Sequence, residues 1–352
     1  MLIILIILCL LLASLLIRAD HFGAVPDKNN LKIQNCANFN GKQFVNPGNI
    51  GVRMNFRKFK SIFHQFLKLR KQKRPPNNIK IVDNPNMHLA QSDANIIRVT
   101  WLGHSAVVLD VGSTRLLFDP MLSKFASPFP AFVKRFDNSL KFDDADLESL
   151  GKIDAVIISH DHYDHLDYET IIKLKNQIDK FYVPLGVGTH LEKWKIDKTK
   201  IIEADWWEEF LQDDLELVCT PAQHFSGRRA NKRNYTLWAS WLVKYKGKSI
   251  YFSGDSGYFG GFKEIKEKYG PIDLAMLECG QYNELWKEIH MLPEQTVLAA
   301  KDLDAKLLLP IHNMAFSLAL HPWYEPKTRI LVEAKKQNIK LVDVFVGEKF
   351  EI

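Results

Sequence analysis

Cysteine is scarce: Cys9, Cys36, Cys219 and Cys279 lie far apart, with no C-x-x-C pair among them. That spacing excludes a zinc knuckle and a dense disulfide framework, and leaves only a bridge through Cys36 open. No repeat and no low-complexity tract occurs. Hydrophobic residues make up 46% and charged residues 25%, which excludes a disordered or fibrous chain. Acidic residues are missing from positions 53–74, which hold nine basic ones. The remainder has 38 basic against 41 acidic residues, so the formal net charge of +6 belongs to a single segment. A basic n-region is missing as well: residues 1–17 are apolar except for Ser14, and the first arginine is Arg18.

The apolar run at 1–17 spans roughly 25 Å as a helix, just short of a typical hydrocarbon core. It reads as an uncleaved membrane anchor over residues 1–18, with a cleaved signal as the alternative. Positive charges follow the run, which for an anchor places the following domain in the cytoplasm. An export signal places it outside, so the side of the membrane stays open. In the extension 19–95, Phe56, Phe59, Phe63, Phe66 and Leu67 recur at three- or four-residue steps between basic residues. Segment 53–74 therefore suits a basic amphipathic helix on an anionic lipid surface, or a helix packed on the catalytic domain through its phenylalanines. No nucleic-acid partner is expected, because the rest of the chain adds no positive field.

From residue 96 to 352 the sequence alternates β-rich runs, turn signals and helical stretches, as one α/β domain with two sheets. IIRVTWLG, AVVLDVG, TRLLFDP, IDAVIISH, FYVPLG, LELVCTPAQH, TLWASWLVKYKGKSIYFSGD, DLAMLECG, AKLLLPIHN and LVDVFV read as strands. LDYETIIKLKNQI, PEQTVLAAKDL and KTRILVEAKKQN read as helices.

The chemistry concentrates after IDAVIIS, where His160, Asp161, His162, Tyr163, Asp164 and His165 follow one another. Four potential metal ligands within six residues cannot all face one point from a regular helix or strand. From a loop they converge from two sides, which suits a pair of metal ions, zinc before iron or manganese. His224 in TPAQH, Asp255 in SGDSG and His312 in LPIHN each follow a hydrophobic run, where loops gather a site.

This H-x-H-x-D-H signature, with the separate His, Asp and His, resembles the metallo-β-lactamase fold superfamily. WLGHSAVVLD, LLFDP, ISHDHYDHLDY, TPAQHFSGR, LWASWLV, SGDSGY and LPIHNMAFSLALH, with FNGKQFVNPG upstream, are similar to the N-acyl-phosphatidylethanolamine-hydrolysing phospholipase D family and its bacterial relatives, over roughly residues 36–330. The resemblance implies a four-layer αβ/βα sandwich with a two-zinc site along one edge. It implies His160, His162 and His224 on one zinc, Asp164, His165 and His312 on the other, and Asp255 bridging. It implies a metal-bridging hydroxide attacking a membrane phospholipid, with Asp164 and Asp255 also counted as catalytic. His290 matches a position that faces substrate or assists proton transfer. Asp119 and His104 match supporting positions beside the metals, and His321 is a weaker match. Histidines 21, 64, 88 and 190 have no partner motif and read as surface residues. The aromatics Trp206, Trp207, Phe225, Trp238, Trp241, Tyr282, Trp286, Trp323 and Tyr324 line an acyl groove or fill the core. The loop GRRANKRN at 227–234 approaches phosphate or is a solvated turn. The same fold also serves lactones, cyclic phosphodiesters and RNA, and a metal-stabilised lipid-binding scaffold is the alternative of another class.

Overall fold

A computed structural model describes residues 19–47, 50, 56–69, 71–76, 96–129, 132–137, 139–229 and 231–352. The apolar helix expected at 1–17 and most of the connector before residue 96 lie outside them. No helix among the described residues is long and apolar enough to cross a membrane.

Two sheets face each other. One has seven strands in the order β13-β1-β2-β3-β4-β5-β6, and the other six in the order β12-β11-β10-β9-β8-β7. In the first, β1 (Ile97–Trp101), β2 (Val107–Val111) and β3 (Thr114–Phe118) form a meander. Then β4 (Ile153–Ile157), β5 (Ile178–Pro184) and β6 (Ile201–Ala204) add in parallel. In the second, β7 (Glu209–Gln212), β8 (Leu215–Thr220), β9 (Ser240–Tyr245) and β10 (Lys248–Phe252) are antiparallel. Strands β11 (Leu274–Glu278) and β12 (Leu307–Ile311) extend that sheet in parallel. The closing strand β13 (Lys349–Glu351) pairs with β1.

Side chains alternate across a strand, so each strand of the second sheet serves two cores. Leu217, Cys219, Trp241, Val243, Ile250, Phe252 and Met276 face the first sheet, where the rings of Phe118 and Phe252 meet with centroids 4.9 Å apart. Their neighbours Val218, Leu242, Tyr251, Ala275 and Leu277 face outward, into a second core. Helices Gly261–Tyr269, Pro293–Asp302 and Glu325–Gln337 cover that face with Phe262, Ile265, Val297, Ala300 and Ile330. Helices Asp144–Ser149 and Tyr168–Leu174 bury Leu147, Ile171 and Leu174 in the first core. The result is a two-sheet α/β sandwich.

The run LVDVFV, read as a strand, is not one. Leu341 makes a single bridge to Leu308, and Phe345 is left exposed. With Val342 donating to Leu308 O at 2.9 Å, the segment lies along the edge without joining the ladder; β13 makes the closing pairing instead. The three described cysteines, Cys36, Cys219 and Cys279, are buried and free. Cys36 donates to Asp205 at 3.2 Å, and burial together with that carboxylate pushes its thiol up to about 12.

Residues 19–47 wrap the sandwich edge. Trp194 Nε1 donates to Asp20 O at 2.8 Å, Arg228 Nε to His21 O at 2.7 Å, and Asn46 Nδ2 to His224 O at 2.7 Å. The helix Phe56–Leu69 forms within the basic segment, with Arg57, Lys60, Leu67 and Lys68 exposed. The side chains of Phe56, Phe59, Phe63 and Phe66 lie outside what is described.

Candidate metal centre

The loops that leave the C-terminal ends of β3, β4, β8, β10 and β12 meet at one edge of the sandwich. They carry Asp119, His160 to His165, His224, Asp255 and His312. Two of these junctions and the turn between β1 and β2 are strained: Asp119, His312 and His104 have φ of 37°, 64° and 53°. Left-handed backbone in non-glycine residues persists only where the surroundings over-determine it, and it re-aims a side chain. Here His104 N donates to Asn313 O at 2.9 Å and His312 N to His104 O at 2.8 Å, tying the two sheets together beside the site. A side chain at Gly254 would put its Cβ 2.4 Å from Ser159 Cβ, so the Asp255 loop approaches the His160 loop only as glycine.

Two clusters result. His160 Nε2 lies 2.8 Å from His162 Nδ1, which is 3.3 Å from His224 Nε2. Beside them, Asp164, His165 and His312 form the second group, together with His104. Asp255 stands between the two: its Oδ2 is 3.8 Å from His160, 3.7 Å from His224 and 3.1 Å from His165, and its Oδ1 is 3.1 Å from His312. All seven sequence-derived ligand candidates are therefore brought to one place.

The outer hydrogen bonds set which nitrogens point inward. His165 Nδ1 donates to Asp119 Oδ2 at 2.7 Å, and His224 Nδ1 donates to Ile289 O at 2.9 Å. Ser159 Oγ donates to the same Asp119 oxygen at 2.6 Å and so accepts from His160 Nδ1 at 2.9 Å. His104 Nε2 donates to Asp164 Oδ2 at 2.9 Å. Asp119 and His104 thus brace His165 and Asp164 from behind. His165 Nε2, His312 Nε2 and Asp255 Oδ1 are buried with no hydrogen-bond partner.

Burial, together with the neighbouring imidazoles, holds His160, His224 and His312 well below the usual histidine range, and His162 down to about 4. Burial raises Asp255 to about 6, against the pull of His165. For His165 burial is outweighed by Asp255, Asp164 and Asp119, which raise it. Orphaned polar atoms this deeply buried cost free energy, and the unprotonated imidazoles of His160, His162, His224 and His312 with the neighbouring carboxylates are a donor set that cations satisfy. The residues fit a pair of divalent metals.

One charged group escaped the sequence reading. Glu278 is fully buried at the end of β11; it accepts from His290 Nδ1 at 2.7 Å and from Met291 N. Its burial raises it well above the usual carboxylate range. A glutamate closing the all-apolar run LAML was the available signal. His290 stacks on His312 with ring centroids 5.5 Å apart and lies in the wall of a cavity of about 340 Å³, with Asp164, Asp255, Phe225, Trp286 and Arg233. The guanidinium of Arg233 lies 4.0 Å from the centre of the Phe225 ring.

Other expectations are corrected. His21 and His190 are buried, because His190 accepts from Ala24 N at 3.1 Å and meets Asp161 at 3.2 Å, while His21 packs on Tyr168. His64 is exposed, and His88 lies outside the described residues. His321 accepts from Gln281 N at 2.9 Å and stacks on Tyr282, away from the clusters. Of the 227–234 loop, Arg228 is neither solvated nor free for phosphate: it donates to Asp161 O and Leu166 O, each at 2.8 Å, and braces the metal loop. Among the aromatics, Phe225 and Trp286 reach the cavity, whereas Trp206, Trp238, Trp241 and Tyr282 are buried.

Residues 114–313 match the family model of the beta-lactamase superfamily domain. The chain is 40% identical over 272 residues to an uncharacterized protein of Mycobacterium tuberculosis, covering 76% of this chain and 72% of that one. It is 31% identical over 344 residues to an N-acyl-phosphatidylethanolamine-hydrolyzing phospholipase D of Caenorhabditis elegans, covering 89% of this chain and 93% of that one. Among solved structures, a metallo hydrolase of Ignicoccus hospitalis shares the fold, with TM-score 0.54 and 23% identity over 73% of this chain and 98% of that one. Strand order, paired histidine and aspartate clusters and these likenesses agree: the chain belongs to the metallo-β-lactamase superfamily.

Proposed function

We propose that this metallo-hydrolase is a zinc-dependent phosphodiesterase of the phospholipase D type. Its substrate is N-acyl-phosphatidylethanolamine or a related phospholipid, and its products are phosphatidate and an N-acylethanolamine. The observation that carries the reading is the pair of clusters sharing Asp255, beside a cavity with one arginine and an aromatic wall. The likeness to the phospholipase over 89% of the chain supports the substrate class.

His160, His162 and His224 would hold one zinc, and Asp164, His165 and His312 the other, with Asp255 shared. Bound metals of this kind supply Lewis-acid polarisation of a phosphoryl group and a nucleophile from water near neutral pH. The chain's own residues do the rest. Arg233, stacked on Phe225 at the rim, offers a fixed positive charge to a phosphoryl oxygen. Glu278 holds Nδ1–H of His290 and leaves Nε2 with a free lone pair, the nitrogen that would take a proton from the water nucleophile and return it to the departing alkoxide. His104 fixes Asp164 by its 2.9 Å bond. Residues 1–74 would keep the enzyme at a membrane surface.

The test is an assay of the purified full chain on N-acylated and plain phosphatidylethanolamine, with zinc and after chelation. Chelator-sensitive release of phosphatidate and N-acylethanolamine is expected. Absence of both, with turnover of a soluble lactone or cyclic phosphodiester, transfers the site to a soluble-substrate hydrolase.

A further inference from the structure

The segment between Asp119 and the helix Asp144–Ser149 does work that the metal centre does not use. Ala126 N donates to Val133 O at 3.1 Å and Arg135 N to Lys124 O at 2.9 Å, closing a two-stranded hairpin. Toward its tip, Phe129 and Phe132 are 40% and 64% exposed, with ring centroids 6.3 Å apart. At its base is a cavity of about 310 Å³, lined by Lys124, Lys134, Arg135 and Lys141 over Leu122, Phe136 and Phe142. The one carboxylate there, Asp137, is held by Lys134 at 2.6 Å. Among the described residues Lys124 and Lys141 have no carboxylate partner.

Arg135 is the decisive group. It is only 4% exposed; its Nε donates to Ser123 O at 3.0 Å and its Nη2 to Met121 O, while Nη1 has no acceptor. A buried guanidinium with an unused donor thus lines a cavity rimmed by two lysines that have no ion pair among the described residues, a lining suited to an oxyanion. The guanidinium also feels the charge of Asp167 and lies 4.7 Å from the centre of the Phe316 ring.

What surrounds the cavity identifies the anion's carrier. Exposed phenylalanines beside a basic pocket are the side chains of an interfacial contact: rings for the acyl boundary, cations for head groups. The basic segment reaches the same spot, since Arg74 donates to Lys134 O at 3.2 Å and lies 5.7 Å from the centre of the Phe136 ring. Phe22, just beyond the apolar run, packs edge-on against Phe129 at 6.1 Å. Arg74 of the basic segment and Phe22 therefore both meet the hairpin.

We propose that the hairpin arms 123–129 and 132–136 dock the catalytic domain on an anionic bilayer, Phe129 and Phe132 entering the acyl boundary and the Arg135 cavity taking the phosphate of an anionic phospholipid. This adds a membrane contact made by the catalytic domain itself, and it does not depend on which bond the metal centre cleaves.

The test uses the full chain with Phe132→Cys carrying an environment-sensitive dye, on phosphatidylcholine vesicles with and without phosphatidylglycerol, in 0.15 M salt. With the anionic lipid the dye shifts to the blue and is quenched by nitroxide-labelled acyl chains; on phosphatidylcholine alone it does neither. Lys124→Glu with Lys141→Glu, both exposed substitutions, weakens binding to anionic vesicles at least about ten-fold although residues 1–74 remain. A dye that stays in water while the chain is vesicle-bound overturns the proposal, as does a double variant that binds like the original chain. Inorganic phosphate or glycerol 3-phosphate that protects Arg135 from phenylglyoxal, without any preference for anionic vesicles, makes it a free-phosphate site. Sedimentation showing a dimer that Phe129→Ser with Phe132→Ser abolishes assigns the face to a second copy. No readout here is hydrolysis, so this site and the phospholipase reading fail separately.

Discussion

At the scale of single residues, the roles of Asp119 and Glu278 separate. Asp119 accepts from His165 Nδ1 and from Ser159 N and Oγ, and acts through the tautomer that it imposes on His165. Asp119→Asn keeps the shape but accepts more weakly, so metal affinity falls about 10–100-fold. Competition with a chromogenic chelator reads this directly, and an unchanged dissociation constant removes Asp119 from that role. Glu278→Gln is expected to lower kcat about 100-fold at full metal content. If metal content falls in step with activity, Glu278 is instead a ligand, in the group that it forms with Asp255, His290 and His312. The seven ligand candidates were legible from the sequence because ligation demands particular residue types at the ends of strands. Glu278, His21 and His190 were not, because nothing local distinguishes a buried charge from an exposed one until its partner, 12 to 166 residues away, is known.

At the scale of elements, the strap at 20–24 and the helix pair near the C-terminus are both testable. Gly23 has φ +59°, and a Cβ there would fall 2.2 Å from His190 Nδ1, the ring that meets Asp161 in the metal loop. Gly23→Val is expected to cost about 1–3 kcal/mol in denaturant unfolding. A variant as stable as the original chain shows that the strap is not held where it lies. Helices Pro293–Asp302 and Glu325–Gln337 are clamped by Arg329, which donates to Glu294 at 3.0 and 2.6 Å and to Glu325 at 3.0 Å. Burial tends to raise Glu294, but the Arg329 bond and charge prevail and lower it. A lowered carboxylate contributes stability above its unfolded value of 4.5 and loses it as pH falls through the folded value. The pair is partly solvated, so Glu294→Gln costs only about 0.5–1 kcal/mol at pH 7, and the gap in Tm from the original chain closes on acidification below that window. A gap that persists at pH 3 assigns the cost to packing. The strand LVDVFV shows the limit of periodicity at this scale: its apolar residues suit a ladder, but β13 makes the closing pairing, and only a lone bridge to Leu308 remains.

At the scale of the whole molecule, metal binding is expected to stabilise the fold. Without cations the edge holds buried histidines and carboxylates with orphaned atoms, a cost that metal binding removes. At a thousand-fold excess over Kd, a metal stabilises by about 4 kcal/mol. Exhaustive chelation is therefore expected to lower Tm by several degrees and zinc to restore it; a Tm indifferent to chelation argues against resident metals.

The sequence by itself determined the class of fold and the residues of a candidate metal site. Alternation of side chains specifies strands locally, and histidines and aspartates at strand ends have few other uses at that density. Only the tertiary structure decided which charges are buried and which surface the domain presents. Arg228 and Arg135 read as ordinary basic residues until one is found bracing the His160–His165 loop and the other, buried with an unused donor, in the wall of a basic cavity. Burial and partnership depend on segments far apart in the chain, and a linear pattern does not carry that distance. The excess of positive charge in residues 53–74 is visible in composition alone, but its meeting with the hairpin at Arg74 exists only in the folded chain.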